Sequence, residues 1–338
     1  MSSEIERGGF DIAKRVFAFC GVNKQGKVVV HKQLRRKEVL SYFAQLPPTT
    51  IGIEACGGSH YWARELSKLG HCVKLICAKY VIPYRRKGKN DINDAEAICE
   101  AIGRPGMQFV AEKTVDQQTI LMAHRIRSQS VATRTAIINQ IHGHLQEFGY
   151  AISKGRHKLK REVGDILDDE ALSPLLVELL HDLLGALCRE EERIDRLDKC
   201  IEQWTKAHPV ARQLLKLDGV GVLTASAAVA TAGKASLFKN GRQFAAWLGL
   251  VPKQDSSGGK NRLLGITKRG DRYLRTLLVH GARTVLLMAS HGKGNHQEWI
   301  QALRARKPDN VVAVAYAAKQ ARMLWAIMAG SEVVRSVQ

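Results

Sequence analysis

The sequence is short of acidic residues. It contains 32 Asp and Glu against 52 Lys and Arg, which gives a formal net charge of +20 and a pI of about 9.8. A pI above roughly 9 is typical of proteins that bind a polyanion such as nucleic acid. An anionic membrane surface is a poorer match, because the basic runs do not follow one amphipathic helix. A basic soluble protein without such a partner is the remaining interpretation.

Paired cysteines are also missing. The seven cysteines lie singly, mostly within apolar stretches, at positions 20, 56, 72, 77, 99, 188 and 200. The sequence has no C-x-x-C motif and the number of cysteines is odd, so we expect neither a disulfide framework nor a zinc site. Cysteines used in this way are typical of a reducing cytoplasm.

No apolar run reaches the length that spans a membrane. The nearest, Val311–Ala329, is interrupted by Lys319, Gln320 and Arg322. The first seven residues lack the hydrophobic core of a signal peptide. We therefore expect a cytoplasmic protein without membrane contact. Its 338 residues, 45% hydrophobic and 25% charged, are typical of a soluble globular chain of about two domains.

Residues 1–150 alternate predicted strands and helices. The predicted strands are Phe10–Cys20, Lys27–His31, Thr50–Ala55, His71–Cys77 and Gln108–Val110. A turn at Asn23–Gly26 joins the first two into a hairpin, and helical segments separate the others. This order predicts an α/β domain with a mixed sheet.

Residues 151–208 are predicted to form a basic linker followed by a coiled coil. The segment Lys154–Arg161 is strongly basic and reads as a linker or arm. Apolar residues then recur in alternating steps of four and three positions, which is typical of a heptad seam. They are Leu176, Leu180, Leu183, Leu187, Ile194, Leu197, Ile201 and Trp204, with Glu190 the only break in the seam. Such a seam packs either within one domain, as a helical hairpin, or between subunits.

Residues 209–338 are predicted to form a helical domain. Leu214–Thr224 leads through a Gly-x-Gly turn into an alanine-rich helix, which is the pattern of a helix-hairpin-helix. The N–H groups of that turn, at Gly219 and Gly221, either grip a backbone phosphate or form a plain tight turn between packed helices. Val251–Arg272 is predicted to be a polar loop rich in Gly and Lys.

Two acids, Asp91 and Asp94, follow the basic run Tyr84–Lys89 and open an apolar-periodic segment. On the first turn of a helix, carboxylates three residues apart project from one face. Either acid could cap this helix by accepting its free N–H groups. The alternative is that the pair holds a divalent metal where phosphate also binds.

Two further acids stand in apolar strands. Asp11 lies between Phe10 and Ile12, and Glu54 follows Ile51–Ile53. Each alone is compatible with a salt-bridged strand end, because an unpaired charge there is costly. Several acids in one pocket repel one another unless a cation lies among them. Oxygen ligands of this kind suit Mg²⁺ or Mn²⁺, and in a basic protein the matching substrate is a phosphodiester.

The acidic segments resemble the motifs of the DEDD transposases of bacterial insertion sequences, the one-ten family, which also holds the Piv-type DNA invertases. The segments are Gly9–Lys14, Ile53–Gly57 and Lys89–Ala95. In the second half, Leu214–Thr224, Phe244–Pro252 and Ser257-Gly258 are similar to the family's C-terminal transposase domain. The resemblance covers nearly the whole chain. It implies an RNase H-like first domain close to the RuvC Holliday-junction resolvases.

This resemblance also implies a catalytic apparatus. The family's Asp, Glu, Asp, Asp tetrad corresponds in order to Asp11, Glu54, Asp91 and Asp94, which would hold Mg²⁺ or Mn²⁺. Its nucleophilic serine stands immediately before a glycine, shortly after a Gly-Leu-x-Pro turn. That pattern points to Ser257, with Ser256 beside it as the alternative. The serine hydroxyl would attack a phosphodiester and form a transient phosphoserine link.

The implied partners are double-stranded DNA, at the element ends and the target, and a structured guide RNA encoded beside the gene. Two or four protomers would be needed to act on four DNA strands. The protein would lie in a bacterial cytoplasm, and on the nucleoid when bound to DNA. The candidate nucleic-acid-binding residues are Arg85, Arg86, Lys87, Lys89, Lys154, Arg156, Lys158, Lys160, Arg161, Gly219, Gly221, Lys260, Arg262, Lys268 and Arg269. Lys260, Arg262, Lys268 and Arg269 flank the serine loop and are suited to neutralising developing charge.

Two rival functions remain open from the sequence. One is a metal-dependent junction nuclease that hydrolyses DNA with water and uses no serine. The other is a nucleic-acid-binding protein built on a helix-hairpin-helix, in which the acids carry no catalysis.

Overall fold

The computed structural model describes residues 5–85, 90–153, 155–169, 172–256 and 262–330, with only the backbone of Arg156. The chain forms two compact units. The first comprises Met1–Asp116 and Ala232–Leu237, and the second comprises Gln117–Thr231 and Phe238–Gln338. Each unit contains hydrophobic clusters of its own.

A mixed sheet of six strands organises the first unit, in the order β3-β2-β1-β4-β5-β6. The strands are β1 (Arg7–Asp11), β2 (Val16–Val22), β3 (Val28–Arg35), β4 (Thr50–Glu54), β5 (Cys72–Ile76) and β6 (Phe109–Val110). β1, β4 and β5 run parallel to one another, while the remaining pairings are antiparallel. The predicted mixed α/β domain, followed by a helical region, is thereby confirmed.

The remaining regular structure is mostly helical. In chain order, the helices are α1 (Val39–Ala44), α2 (Ser59–Lys68), α3 (Ala78–Val81), α4 (Asp91–Ile102), α5 (Val115–Glu147), α6 (Arg156–Leu167), α7 (Pro174–Ala207), α8 (Pro209–Leu214), α9 (Val222–Ala232), α10 (Gly241–Trp247), α11 (Arg272–Ser290), α12 (Gln297–Arg304) and α13 (Asp309–Met328). In the described part of the chain, no helix is long and apolar enough to cross a membrane.

The single strand predicted over Phe10–Cys20 is wrong, because this segment contains β1, a reversal and most of β2. β1 and β2 pair antiparallel with Phe10 opposite Phe19, so the chain must turn back between them. Lys14 and Arg15 are exposed in that turn, where charged side chains remain hydrated. Asp11 therefore lies at a strand end instead of inside a strand. The predicted turn at Asn23–Gly26 is confirmed by the β2–β3 pairing.

Helix α4 packs closely on the sheet because two strand positions lack a side chain. A Cβ atom at Gly9 of β1 would lie 2.0 Å from the carbonyl oxygen of Ala95, and one at Gly52 of β4 would lie 2.5 Å from Ile102 Cγ2. Real Cβ atoms do not approach other atoms so closely. The two glycines therefore set the distance between α4 and the carboxyl ends of β1 and β4.

Replacing Gly9 by alanine is expected to destabilise the protein by about 1–3 kcal/mol, the usual cost of overpacking a well-packed contact. The neighbouring atom is backbone of α4, so the added methyl group cannot be accommodated by a rotamer change. Gly143→Ala in α5 is the matched control, since a Cβ there meets nothing within 4 Å. Urea denaturation should show a lower midpoint for the first variant only; equal midpoints would contradict this packing.

The heptad seam of α7 is covered within its own chain. Leu180 and Leu187 are buried in a cluster with Ile141 of α5 and with Leu159 and Val163 of α6. This supports the helical hairpin within one domain over the pairing of subunits through that seam.

The predicted linker or arm at 154–161 is wrong over most of its length, because 156–161 belong to α6. Leu159 and Val163 of α6, one turn apart, bury an apolar stripe that a free arm would leave in water.

The predicted polar loop over 251–272 is also wrong in part. It contains a two-stranded hairpin of β7 (Pro252–Gln254) and β8 (Leu263–Ile266), which pair antiparallel. The backbone N–H of Asp255 donates to the carbonyl of Arg262 at 2.9 Å and extends the ladder toward the tip. The polar composition concealed β8, which supplies the apolar pair Leu263 and Leu264.

Candidate active site

Asp11 and Glu54 lie side by side at one edge of the sheet. β1 and β4 are neighbouring parallel strands whose last paired residues are Phe10 and Ile53. Asp11 and Glu54 follow directly, so both carboxylates emerge at the same carboxyl ends. Both residues are half-buried, which places their charges where water screens them only partly.

Asp91 and Asp94 lie in the first turn of α4, as predicted. The helix cap, however, is Asn90, whose side-chain oxygen accepts a hydrogen bond from the N–H of Ile92 at 3.1 Å. The alternative that one of the two acids caps the helix is therefore wrong. Both carboxylates still lie near the positive end of the helix dipole, which favours negative charge.

The four acids act electrostatically on one another. The pKa of Asp11 is raised from 3.8 to about 6, first by burial and then by the charges of Asp94, Asp91 and Glu54. Arg85 opposes this rise. A carboxyl whose pKa is raised by three neighbouring acids stands in a pocket of concentrated negative charge, and such a pocket attracts a cation.

Arg85 is the cation that this pocket holds. Its Nη2 donates to Glu54 Oε2 at 2.9 Å, and its Nε forms an ion pair with Asp94 Oδ1 at 3.0 Å. The guanidinium thus connects the end of β4 to the first turn of α4. Sequence reasoning assigned Arg85 to nucleic acid and missed this contact. The available signal was an arginine shortly before a D-x-x-D pair.

The carboxylates suit a hard divalent ion in chemistry, since they offer only oxygen ligands. In this structure, however, Glu54 and Asp94 lie on either side of the Arg85 guanidinium. Among the described residues, one group has three ligand atoms that all lie within 4.8 Å of one another. It consists of Cys20, His31 and Glu96 and includes none of these four acids. While Arg85 lies among them, the four acids therefore do not form such a close group.

The predicted nucleophile Ser257 and the basic Lys260 lie outside the described residues. Ser256, by contrast, is part of the hairpin: its hydroxyl accepts hydrogen bonds from Gln254 Nε2 at 3.1 Å and from the N–H of Arg262 at 3.4 Å. These contacts give Ser256 a structural role at the end of the β7–β8 ladder.

Tight glycine contacts fix the base of the same hairpin. Gly249 and Gly270 have positive φ values, and a Cβ at Gly249 would lie 2.1 Å from the carbonyl oxygen of Arg269. The N–H of Lys268, itself left-handed with φ 54°, donates to the carbonyl of Gly249 at 3.1 Å. Lys268, Arg269 and Arg262 are all exposed around this base, as a phosphate-binding role needs.

The two glycines of the predicted helix-hairpin-helix differ in their surroundings. Gly219 has φ +75°, and a Cβ there would lie 2.6 Å from the carbonyl oxygen of Gly281 in α11, so this glycine is required for packing. A Cβ at Gly221 would meet nothing within 4 Å, so this backbone is open to approach. The packing interpretation accounts for Gly219, and phosphate binding stays a prediction for Gly221.

The other basic candidates are distributed as follows. Arg86, Lys87, Lys89 and Lys154 lie outside the described residues, as does the side chain of Arg156. Lys158 and Arg161 are exposed on α6. Lys160 forms an ion pair with Glu191 of α7, which ties its ammonium group to the helical hairpin.

Two family models match the chain in the order of its two halves. The DEDD transposase model of the IS110 type matches residues 8–149, and the model described as transposase IS116/IS110/IS902 family matches residues 211–297. The first match includes all four acids, and the second includes the β7–β8 hairpin.

Relatives match along nearly their full length. A probable family 20 transposase of Pseudomonas aeruginosa is 46% identical over 96% of this chain and 97% of its own. The transposase for insertion sequence element IS1111A of Coxiella burnetii is 39% identical, over 97% of this chain and 90% of its own. The transposase for insertion sequence element IS1328 of Yersinia enterocolitica is 38% identical, over 94% of this chain and 95% of its own. With similarity of this extent, the chain belongs to the IS110 family of insertion-sequence transposases, enzymes that cut and rejoin DNA.

Proposed function

We propose that this transposase cuts and rejoins the strands of an insertion sequence through a phosphoserine intermediate on Ser257. Asp11, Glu54, Asp91 and Asp94 would hold Mg²⁺, or Mn²⁺ in its place. In the cutting step the serine oxygen bonds to phosphorus, the bond from phosphorus to one sugar oxygen breaks, and the sugar leaves as a hydroxyl. Attack by the hydroxyl of another strand reverses this exchange and releases the serine, so no external energy source is needed.

The observation that carries the proposal is the meeting of Asp11 and Glu54 at one sheet edge, with Arg85 joining Glu54 to Asp94. DEDD transposase domains typically use a divalent metal. When bound, such an ion lowers the pKa of an attacking hydroxyl and stabilises negative charge that develops on phosphate. The raised pKa of Asp11 supports the choice of this pocket, because burial and then the repulsion of the other three acids raise it, and a metal would relieve that repulsion.

Arg85 has a second role in this proposal. While it contacts Glu54 and Asp94, it stabilises the acids in the absence of a metal and competes with any other cation for them. Once released, its planar guanidinium is suited to a phosphate oxygen, because it donates two parallel hydrogen bonds. The same residue thus serves both the acid pocket and the DNA backbone.

The position of Ser256 supports the choice of Ser257. Ser256 is occupied by two hydrogen bonds within the hairpin, so its oxygen is directed toward the ladder. Ser257 follows it and precedes Gly258, and a glycine at that position lets a phosphate approach the backbone closely. The serine and the acids must reach one phosphodiester, within one chain or between subunits.

A structured guide RNA and a dimer or tetramer complete the proposal. The net charge of +20 is ample for both RNA and DNA backbones, and Lys158, Arg161, Arg262, Lys268 and Arg269 are exposed to meet them. Because the α7 seam is covered within the chain, subunit pairing would use another surface. Leu175 and Leu179, 64% and 54% exposed on α7, are apolar candidates for it.

Removal of divalent ions is expected to abolish strand cleavage, by at least about 100-fold, and to leave DNA binding in place. The substrate is a duplex that carries an element end, and binding is followed by fluorescence anisotropy in the same buffers. Mg²⁺ should restore cleavage to a chelator-treated sample. Cleavage that is undiminished by chelation would contradict the metal role. A protein that binds DNA but never cuts it would support the helix-hairpin-helix rival.

A further inference from the structure

A second cluster of metal-ligating side chains lies in the first unit, between the β2–β3 hairpin and α4. Cys20 of β2 and His31 of β3 are directly opposite each other in the antiparallel register, so both side chains project from the same face. Glu96 of α4 meets them there. One ligand atom from each of these three residues lies within 4.8 Å of the other two.

The contacts within this cluster are already those of a polar site. His31 Nε2 lies 3.2 Å from Glu96 Oε1, and the side chains are 36% and 18% exposed. Cys20 is buried at 1% exposure, whereas the imidazole faces water. The cluster therefore has a closed thiol side and an open histidine side, through which an ion can enter.

Cys99 lies next to these three residues, although its sulfur is not one of the ligand atoms within 4.8 Å of one another. It lies three residues after Glu96, on the same face of α4, and it packs with Cys20 in one buried cluster. Its side chain hydrogen-bonds that of Cys20, and its Sγ donates to the carbonyl oxygen of Arg7 at 3.7 Å. A thiol, an imidazole and a carboxylate thus converge from three elements of the fold, with a second thiol packed beside the first.

We propose that Cys20, His31, Glu96 and Cys99 bind a divalent transition-metal ion, of which Zn²⁺ is the representative. Cysteine sulfur, histidine nitrogen and carboxylate oxygen are the donors that tetrahedral Zn²⁺ accepts. Two sulfur ligands select against Mg²⁺ and Mn²⁺, which prefer oxygen, so this site is chemically distinct from the acid tetrad. Binding releases the two thiol protons to solvent, and no electron is transferred.

The position of the site gives the ion a structural role. It would join the β2–β3 hairpin to α4, the helix whose first turn carries Asp91 and Asp94. An ion bound to the folded state alone raises the stability of that state by mass action. The site thus fixes α4 against the sheet independently of the metal that the tetrad would hold.

The test uses the reduced, metal-stripped full-length protein titrated with Co²⁺, a spectroscopic substitute for Zn²⁺. Wild type should show a thiolate-to-metal charge-transfer band in the near ultraviolet that saturates at one ion per chain and that Zn²⁺ removes. His31→Ala should weaken binding by at least about tenfold, the scale on which even outer-shell partners affect a metal. Cys72→Ser, at an exposed cysteine of β5, is the matched control and should bind as wild type does.

Folding is checked separately, because Cys20 is buried and its replacement would disturb core packing. His31 is exposed, so His31→Ala should keep the wild-type circular dichroism, and Zn²⁺ should raise the Tm of wild type but not of this variant. Absence of the charge-transfer band in reduced wild type would overturn the proposal. So would His31→Ala that binds Co²⁺ as tightly as wild type. A Cys20–Cys99 disulfide that forms on oxidation, with no metal bound by the reduced protein, would also overturn it.

Discussion

Ser257→Ala is expected to abolish covalent attachment of the protein to DNA and to reduce strand exchange by roughly 10³-fold or more, the scale seen when a catalytic nucleophile is removed. Only the hydroxyl is lost, so DNA binding and folding should not change. The assay is a duplex with an element end, nicked to trap the intermediate, followed by denaturing electrophoresis that separates protein-linked DNA from free DNA.

Ser256→Ala is the matched control for this experiment. Its hydroxyl accepts two hydrogen bonds at the hairpin end, and losing such exposed contacts should cost about 1 kcal/mol or less of stability without removing the nucleophile. If Ser257→Ala still becomes attached to DNA, the assignment is wrong. If it cuts DNA without attachment, as wild type would then also do, the enzyme is a junction nuclease that uses water.

Asp94→Asn is expected to lower cleavage by at least about 100-fold while DNA binding remains. The Asp94 carboxylate contacts Arg85, and its charge is one of those that raise the pKa of Asp11. The substitution removes this charge, so the pocket loses affinity for any divalent ion. Glu54→Gln should behave in the same way, since Glu54 holds the other side of the guanidinium. Both variants keep the size of the side chain and should fold.

A surface acid provides the comparison for these two variants. Glu65→Gln in α2 breaks an exposed ion pair with Lys68, which is worth little, and should leave cleavage at the wild-type level. Raising the Mg²⁺ concentration should recover part of the activity of Asp94→Asn if the loss is one of metal affinity. Full activity of both tetrad variants would contradict the assignment of these acids.

The acid pocket could be predicted because its acidic residues occupy positions in the local sequence where charges are unusual. A charge at the end of an apolar strand, as at Asp11 and Glu54, is costly, and a D-x-x-D pair at a helix start places both carboxylates together. Asp11 and Glu54 stand in strands of the same predicted sheet, and β1 and β4 are neighbours in it. The cap was misassigned, although Asn90 stands immediately before Asp91 and is among the best N-cap residues.

Features that depend on tertiary contacts could not be predicted from local sequence patterns. The heptad spacing of α7 shows that one face is buried, but periodicity does not name the partner, which is α5 and α6 of the same chain. The contact of Arg85 with Glu54 and Asp94 joins residues from separate elements. Likewise, the sequence predicted no zinc site because it has no C-x-x-C pair; the group of Cys20, His31 and Glu96 converges only through strand register and helix packing.

In the proposed reaction, Ser257 exchanges a phosphodiester for a phosphoserine. The most direct measurement is digestion of the trapped protein–DNA complex by protease and nuclease, followed by tandem mass spectrometry of the peptide from the β7–β8 hairpin. We expect a nucleotide remnant on Ser257, formed only when a divalent ion is supplied. A remnant on Ser256 or on any other residue, or cleaved DNA with no adduct at all, would contradict it.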